Sequence, residues 1–364
     1  MTASVRLLRP RIVIVWLALF AAAVAMLVAP AAPARAAVPD RWGFAYNNLP
    51  NPPVNHVMPM SRQWGSWKTA FPASWATVTQ IGPGFYQVRF PHIGGKGVAH
   101  VTAVNGAPVS CQLAKWGASG ADEIVYVRCH AATGAPADSP FTVLFSESSG
   151  LGGAPYGWVW GAAAGGVVNG YNASGAPNSS FHVGIGQYDV KLPNLGGGFD
   201  GNLQVTAVHS QTGVRCKVAR WAPAGTDQRA IVFCHNSTTG ALFDSDFTLT
   251  YHHKVAVFGG SPTRFGYIWD TFGPIPPGAN INTSGALNTV FSSGPGLRLV
   301  TFPRIGLDQS HVQVTANGGG PEFCNLQSPW GIFGGDAVVR NVACYNAFGA
   351  AVNHRSFVSY TSRF

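Results

Sequence analysis

Six cysteines are the residues whose type and spacing predict chemistry most clearly. They occur as three pairs with separations of 18, 18 and 20 residues, namely Cys111 and Cys129, Cys216 and Cys234, and Cys324 and Cys344. An even number of cysteines in an exported chain is typical of disulfide bonds. If the two cysteines of each pair bond to each other, the same connectivity occurs three times. A zinc site is the competing interpretation, but no C-x-x-C motif and no histidine at ligand spacing supports it. We therefore predict three disulfide bonds and no metal site.

Carboxylates that could catalyse hydrolysis form no recognisable pair. Asp122, Asp227 and Asp336 each stand just before a predicted strand, where an aspartate usually caps a turn by bonding its own backbone; calcium binding is the alternative. The remaining acids include Glu123, Glu147, Asp189, Asp200, Asp246, Asp270, Asp308 and Glu322. A glycosidase needs two carboxylates flanking the bond, and neither such a pair nor a nucleophile motif stands out. We predict no catalytic residue and no cofactor, and a secreted hydrolase is the least favoured alternative.

Tryptophans and asparagines in the most variable loops are the candidate ligand contacts. Aromatic rings stack on the apolar faces of sugars, and amides hydrogen-bond sugar hydroxyls. The candidates are Trp64, Trp67, Trp75, Asn172, Asn178, Asn282 and Asn288. Sequence drift in unconstrained surface loops is the alternative explanation for this variability.

The cysteine pairs belong to a motif that recurs after 105 and again after 108 residues. Each copy contains a Val-Thr-Ala run, a cysteine, a tryptophan, an aspartate and an apolar run that ends in the second cysteine. Such recurrence indicates an internal repeat. It predicts three β repeats at residues 37–152, 153–257 and 258–364, which we call segments 1, 2 and 3. The tryptophans of the motif, Trp116, Trp221 and Trp330, are predicted to cover the disulfides and close the core.

Short alternating runs separated by Gly- and Pro-rich turns must position these residues. Each segment opens with an aromatic-Gly-aromatic-x-aromatic string, at residues 42–46, 156–160 and 265–269. Alternation places the three aromatic rings on one face of a strand, and a buried face is favoured over a ligand platform. With six or seven strands per segment and no amphipathic helix, the sequence predicts an all-β fold of three tandem antiparallel β-sandwiches.

The order of these motifs resembles that of tandem β repeats of about 100 residues in secreted, largely uncharacterised actinobacterial proteins. It is more distantly similar to C1q-like jelly-roll heads and to bacteriophage tail-fibre modules. C1q-like heads assemble as trimers, so this resemblance implies jelly-roll-like units packed as a pseudo-threefold assembly, with a string of separate units as the alternative. Segment 3 departs from the pattern, since His354 takes the position of Asp138 and Asp244.

The first residues of the chain resemble a secretory signal peptide. Arg6, Arg9 and Arg11 precede an apolar run over residues 12–28, and Ala34-Arg35-Ala36 resembles a cleavage site. We predict that residues 1–36 are removed on export; an uncleaved anchor is the alternative. Removal lowers the net charge from +9 to +5, and the remaining charges are scattered singly, which argues against nucleic-acid binding. We expect an extracellular protein with no membrane segment after cleavage.

Taken together, these features favour a secreted, non-catalytic binding or adhesion protein. Its partner would be a polysaccharide, such as a cell-wall glycan, or another component of a cell surface. The alternative is a structural module of an extracellular layer or appendage, which would self-associate instead of remaining a monomer.

Overall fold

Runs rich in valine, threonine and aromatic residues fold into short strands along the described chain. The computed structural model describes residues 40–147 and 154–364, so the predicted signal peptide lies outside the described residues. The strands of segment 1 are β1 (Arg41–Asn47), β2 (His56–Val57), β3 (Gln63–Gly65), β4 (Thr77–Gly82), β5 (Phe85–Phe90), β6 (Val98–Ala103), β7 (Val109–Ser119), β8 (Asp122–Ala131) and β9 (Phe141–Glu147).

Segments 2 and 3 continue the same order of strands. Segment 2 contains β10 (Tyr156–Gly161), β11 (Val167–Asn172), β12 (Ser179–Gly184), β13 (Gln187–Leu192), β14 (Asn202–Val208), β15 (Val214–Ala224), β16 (Asp227–Asn236) and β17 (Asp246–His252). Segment 3 contains β18 (Phe265–Asp270), β19 (Asn280–Asn282), β20 (Thr289–Gly294), β21 (Leu297–Phe302), β22 (Ser310–Asn317), β23 (Phe323–Leu326), β24 (Gly331–Phe333), β25 (Asp336–Tyr345) and β26 (Arg355–Ser362).

The predicted all-β class is confirmed. Helical structure in the described residues is limited to three short 3-10 turns, Met60–Arg62, Ser66–Thr69 and Pro277–Ala279. No helix in this part of the chain is long and apolar enough to cross a membrane. The described segments contain nine, eight and nine strands instead of six or seven, because the stretches after the opening strands add further strands such as β2, β11 and β19.

Three disulfide bonds join neighbouring strands, as predicted. They link Cys111 to Cys129, Cys216 to Cys234 and Cys324 to Cys344. In each case the two cysteines lie directly opposite each other on an antiparallel pair: β7 with β8, β15 with β16, or β23 with β25. Each bond therefore fixes the register of its strand pair, and in segments 1 and 2 one of those strands, β7 or β15, also carries the motif tryptophan.

The aspartates predicted to cap turns act across loops instead of on their own backbone. A carboxylate oxygen of each accepts a hydrogen bond, at 2.9–3.0 Å, from the backbone N–H of a residue about 30 positions earlier. The pairs are His92 with Asp122, Asn194 with Asp227, and Arg304 with Asp336. Each donor has a positive φ of 58–62°, so the aspartate holds a tight turn in the preceding loop.

The strands form four sheets. Their orders are β3-β1-β9-β6, β11-β10-β17-β14-β7-β8-β5-β4-β2, β12-β13-β16-β15-β22-β26-β18-β19 and β20-β21-β25-β23, with β24 pairing on β25. The second sheet crosses from segment 2 to segment 1 between β14 and β7, and the third crosses from segment 2 to segment 3 between β15 and β22. Sheets shared in this way cannot be assigned to single segments.

Parallel β-bridges join each segment to another at corresponding positions. They pair Val208 with Leu113, Asn317 with Val218, and Val104 with Leu326. The partner in each case is the second residue after the first cysteine of a pair. Segment 1 thus meets segment 2, segment 2 meets segment 3, and segment 3 meets segment 1, so the contacts form a closed cycle.

The hydrophobic cores follow the same cycle. One core belongs to segment 1 but includes Val208, a second belongs to segment 2 but includes Phe357, and a third belongs to segment 3 but includes Tyr46 and Val104. Each core is therefore completed by apolar side chains from another segment, which ties folding of the segments together.

One predicted correspondence is wrong. The backbone N–H groups of Gly84 and Gly186 donate to Asp138 and Asp244, both at 2.6 Å, and the equivalent Gly296 N–H donates to Asn353 at 2.9 Å. Asn353, and not His354, therefore takes this place in segment 3. An amide oxygen accepts the same backbone hydrogen bond as a carboxylate, so the turn is kept.

Candidate functional site

The three junctions between segments bring aromatic residues together in pairs. In each junction the motif tryptophan of one segment meets the last aromatic residue of another segment's opening string. The ring-centroid distances are 4.7 Å for Trp116 and Trp160, 5.3 Å for Trp221 and Trp269, and 5.9 Å for Trp330 and Tyr46. The other members of the opening strings are buried, as expected for a core face, but Trp160 and Trp269 are half-buried and reach the surface.

β-bulges direct the tryptophans of the first two junctions toward the neighbouring segment. The register of β7 shifts between Leu113 and Lys115, and that of β15 shifts between Val218 and Arg220. An extra residue in one strand bends it and re-aims the side chains that follow. In both strands the bulge is followed directly by a basic residue, exposed to solvent, and then by the tryptophan.

The junction of segments 2 and 3 contains a groove of about 660 Å³, which we call groove A. Trp269 supplies a half-buried ring, and Trp221, 6% exposed, lies behind it in an edge-to-face contact. The indole N–H of Trp269 donates to the side-chain oxygen of Asn317 at 3.1 Å, which fixes the ring. A volume of this size is typical of small-molecule and oligosaccharide sites.

Three exposed arginines line groove A, and only one of them has an acidic partner among the described residues. Arg229 pairs with Asp189, and the hydrogen bond that its guanidinium donates to this carboxylate raises the pKa of Arg229. In the described ranges no carboxylate forms an ion pair with Arg220 or Arg355. Two uncompensated guanidinium groups therefore face the groove beside an aromatic ring, an arrangement suited to a carboxylate or another anionic group.

The junction of segments 1 and 2 contains a second groove of about 380 Å³, which we call groove B. Trp160 and Lys115 line it, together with His209, Ser210 and Asp246. The indole N–H of Trp160 donates to Asp246 at 3.2 Å. Groove B thus repeats the aromatic and basic residues of groove A, but with a carboxylate beside the ring.

The third junction, between segments 3 and 1, is closed by the stretch between β1 and β4 that carries Trp64, Trp67 and Trp75, which we call the insertion of segment 1. Trp330 is 1% exposed, and its indole N–H donates to Ser310 at 2.8 Å. The guanidinium of Arg62 lies 5.1 Å from the centre of the Trp330 ring and donates to the Trp330 carbonyl at 2.8 Å. The insertion therefore covers the aromatic pair that the other two junctions leave partly open.

The predicted tryptophans of the insertion serve mainly to pack it. Trp67 is 3% exposed in the core of segment 1 and donates its indole N–H to the Ser74 carbonyl at 3.1 Å, so its ring is not available to a ligand. Trp64 and Trp75 are half-buried, and the ammonium of Lys68 lies 5.8 Å and 2.9 Å from their ring centres. Burial lowers the pKa of Lys68 to about 8.

The predicted asparagines are bonded within the fold. Asn172 donates to Asn178 at 2.9 Å, and Asn282 donates to Asn288 at 3.0 Å. Asn178 then donates to the carbonyls of Trp158 and Tyr171, and Asn288 to those of Tyr267 and Ile281, at 2.9–3.1 Å. These amides hold the loop against the opening strand, which leaves them little capacity for a ligand.

Sequence reasoning did not find the residues of groove A. Alternation along the opening string predicts a buried face for Trp269, and the motifs of the repeat include neither Arg220 nor Arg355. One signal was present: the motif tryptophan follows a basic residue in Lys115-Trp116 and Arg220-Trp221, but follows a proline in Pro329-Trp330. The two basic dipeptides mark the open grooves and the proline marks the closed junction.

No family model and no curated protein matches the sequence. A function is therefore inferred from the grooves themselves. The three disulfides indicate an oxidising, extracellular environment, because such bonds are rare in reducing compartments.

Proposed function

We propose that this chain is a secreted, non-catalytic protein that binds acidic polysaccharide in groove A. The observation that carries this proposal is the half-buried ring of Trp269 beside two arginines, Arg220 and Arg355, that have no acidic partner among the described residues. Acidic glycans are common at cell surfaces, so a role in adhesion follows from the same chemistry.

The groove offers both contacts that an acidic sugar needs. The apolar face of a pyranose stacks on an indole ring, and a uronate carboxylate accepts paired hydrogen bonds from a guanidinium. Because Arg220 and Arg355 are exposed at the rim, they also attract an anionic polymer before contact. The +5 charge expected for the mature chain favours the same class of partner.

We test this proposal by titrating the protein with hexagalacturonate in a calorimeter. Trp269→Ala should weaken binding by about tenfold or more, because the stacking surface is lost. Trp75→Ala removes a half-buried tryptophan of the insertion and should leave the affinity within about twofold. Equal losses in both variants, or no binding by the unmodified protein, would refute acidic-glycan recognition in groove A.

We also infer that the segments are tandem copies of one jelly-roll-like unit packed around a pseudo-threefold axis. A second set of cyclic hydrogen bonds supports this: the backbone N–H of Val101 donates to Thr206, that of Val205 to Thr315, and that of Val314 to Thr102, at 3.0–3.4 Å. The resemblance to trimeric C1q-like heads agrees with it. Solution scattering should give the radius of a compact particle, whereas a string of units would give an elongated one.

Self-association is the second candidate function, and one surface favours it. Phe181, Val183 and Ile185 alternate along β12 and the turn that follows, and they are 60%, 58% and 64% exposed. Because β12 is the outermost strand of its sheet, a second copy could pair with it edge to edge. Light scattering should then detect dimers of the unmodified protein and only monomers of Phe181→Lys. If the unmodified protein is monomeric at every concentration, this role is refuted.

A further inference from the structure

We propose that groove B is a second saccharide site, and that it selects neutral sugars where groove A selects acidic ones. This inference rests on the proposed function, because it extends carbohydrate binding to a second groove. It predicts a bivalent protein with two different specificities, while the third junction is sealed by the insertion.

The two grooves are built from corresponding residues. Trp160 and Trp269 end the opening strings of their segments and are both half-buried. Lys115 and Arg220 each follow a β-bulge and precede a motif tryptophan. A single arrangement, an indole ring beside an exposed cation, therefore occurs at both junctions.

One corresponding position carries opposite charges in the two grooves. In groove A, Arg355 pairs with Asn317 across β22 and β26. In groove B, Asp246 pairs with Val208 across β14 and β17. Asn317 and Val208 are equivalent residues, since each forms the parallel bridge to a cysteine strand. At this position groove A therefore carries an arginine, whereas groove B carries an aspartate.

The carboxylate of Asp246 is fixed beside the ring. It accepts the indole N–H of Trp160 at 3.2 Å and the backbone N–H of Ala163 at 2.8 Å. Asp244 also lines groove B and is held by hydrogen bonds from Gly186 and His182. A carboxylate has acceptor capacity left for sugar hydroxyls, which are donors, whereas it repels a uronate.

The balance of charge in groove B therefore differs from that in groove A. Lys115 is the one formally cationic side chain among its lining residues, against Asp244 and Asp246. The Lys115 ammonium lies 4.8 Å from the centre of the Tyr126 ring, so this side chain contacts another residue of segment 1. The net negative charge of groove B would repel an anionic sugar, whereas it would not repel a neutral pyranose.

The test uses two neutral probes, cellohexaose and N-acetylchitohexaose, and one acidic probe, hexagalacturonate, each titrated calorimetrically. We expect at least one neutral probe to bind, and Trp160→Ala to weaken that binding about tenfold while Trp269→Ala changes it less than about twofold. Because Trp160→Ala could disturb the junction, Ser210→Trp, which blocks the groove from its exposed rim, should cause a similar loss.

The outcomes separate this inference from the proposed function. If neither neutral probe binds, or if Trp160→Ala and Ser210→Trp leave neutral binding intact, groove B is not a neutral-sugar site even when hexagalacturonate binds. If hexagalacturonate does not bind while Trp160→Ala weakens the binding of a neutral probe, the proposed acidic-sugar site in groove A is refuted and the neutral-sugar site in groove B is supported. Asp246→Asn should in addition raise the affinity of groove B for hexagalacturonate; an unchanged affinity would contradict selection by charge.

Discussion

The ring of Trp221 meets the ring of Trp269 edge to face, with centroids 5.3 Å apart and planes inclined by 79°. One ring comes from the cysteine strand of segment 2 and the other from the opening strand of segment 3. Groove A therefore forms only when the two segments pack together.

The arginines of groove A should set its dependence on salt. Replacing Arg220 and Arg355 by alanine removes two exposed charges and should weaken hexagalacturonate binding about tenfold at low ionic strength. The affinity of the double variant should also change less between low and high salt than that of the unmodified protein. Calorimetry at two salt concentrations measures both effects.

Arg340→Ala is the matched control for these arginines. Arg340 is exposed and lies 4.6 Å from the ring centre of Phe333, away from the residues that line groove A. Its loss should leave both the affinity and the salt dependence unchanged. A salt dependence shared equally by all variants would mean that overall charge, and not the groove, attracts the ligand.

Arg62→Ala should open the junction that the insertion closes. The variant loses a hydrogen bond to the Trp330 carbonyl and the cation over the Trp330 ring, and should be less stable by about 1–3 kcal/mol. Iodide should then quench tryptophan fluorescence more strongly, since Trp330 becomes accessible. Unchanged quenching together with unchanged stability would show that the insertion does not depend on Arg62 to cover this junction.

The stability of the fold should fall as the pH rises through the titration of Glu123. Burial raises the pKa of Glu123 from its ordinary value of 4.5, which we take for the unfolded chain, to about 8. The negative charge of Glu147 raises this pKa further. Between these two pKa values the native state holds a proton that the unfolded state has lost. The contribution of Glu123 to stability is therefore fully present below about pH 4.5 and is lost as the pH rises to about 8.

Glu123→Gln should flatten this decline, because the glutamine stays neutral at every pH. We expect the variant to gain about 3–4 kcal/mol over the unmodified protein between pH 5 and pH 8. Gln228, fully buried at the same position of β16, shows that the fold accepts the amide. Melting temperatures at the two pH values measure the effect, and parallel curves for both proteins would contradict it.

Asn288→Ala tests whether the loop asparagines serve the fold. It leaves the carbonyls of Tyr267 and Ile281 without their amide donor and should lower stability by about 1–3 kcal/mol. Ser292→Ala, at an exposed position nearby, should change stability by less than about 0.5 kcal/mol. If Asn288→Ala is as stable as this control, the asparagine is free for another role.

Features that depend on neighbouring residues could be predicted from the sequence. The cysteine spacing predicts the three disulfides, because the cysteines of each pair lie 18 or 20 residues apart on adjacent antiparallel strands. Alternation along the opening strings gave an all-β class with a buried aromatic face. In both cases the contacts are set by the two-residue period of a strand and by a short connection.

Features that depend on distant strands could not be predicted. Trp67 packs against Gly43 and Gly65, which lie opposite each other on β1 and β3. Because glycine has no side chain, the ring of Trp67 fills the space that side chains at these two positions would occupy. Nothing in the order of the residues indicates that pairing. Groove A is hidden for the same reason, since Arg220 and Arg355 are 135 positions apart and meet only through the pairing of β15 with β22 and β22 with β26.

The structure of the protein in complex with hexagalacturonate would show directly whether groove A binds an acidic sugar. We expect a pyranose ring stacked on Trp269, with a uronate carboxylate bonded to Arg220 or Arg355. A ligand bound instead against the insertion or the β12 edge, or one that touches no tryptophan, would contradict it.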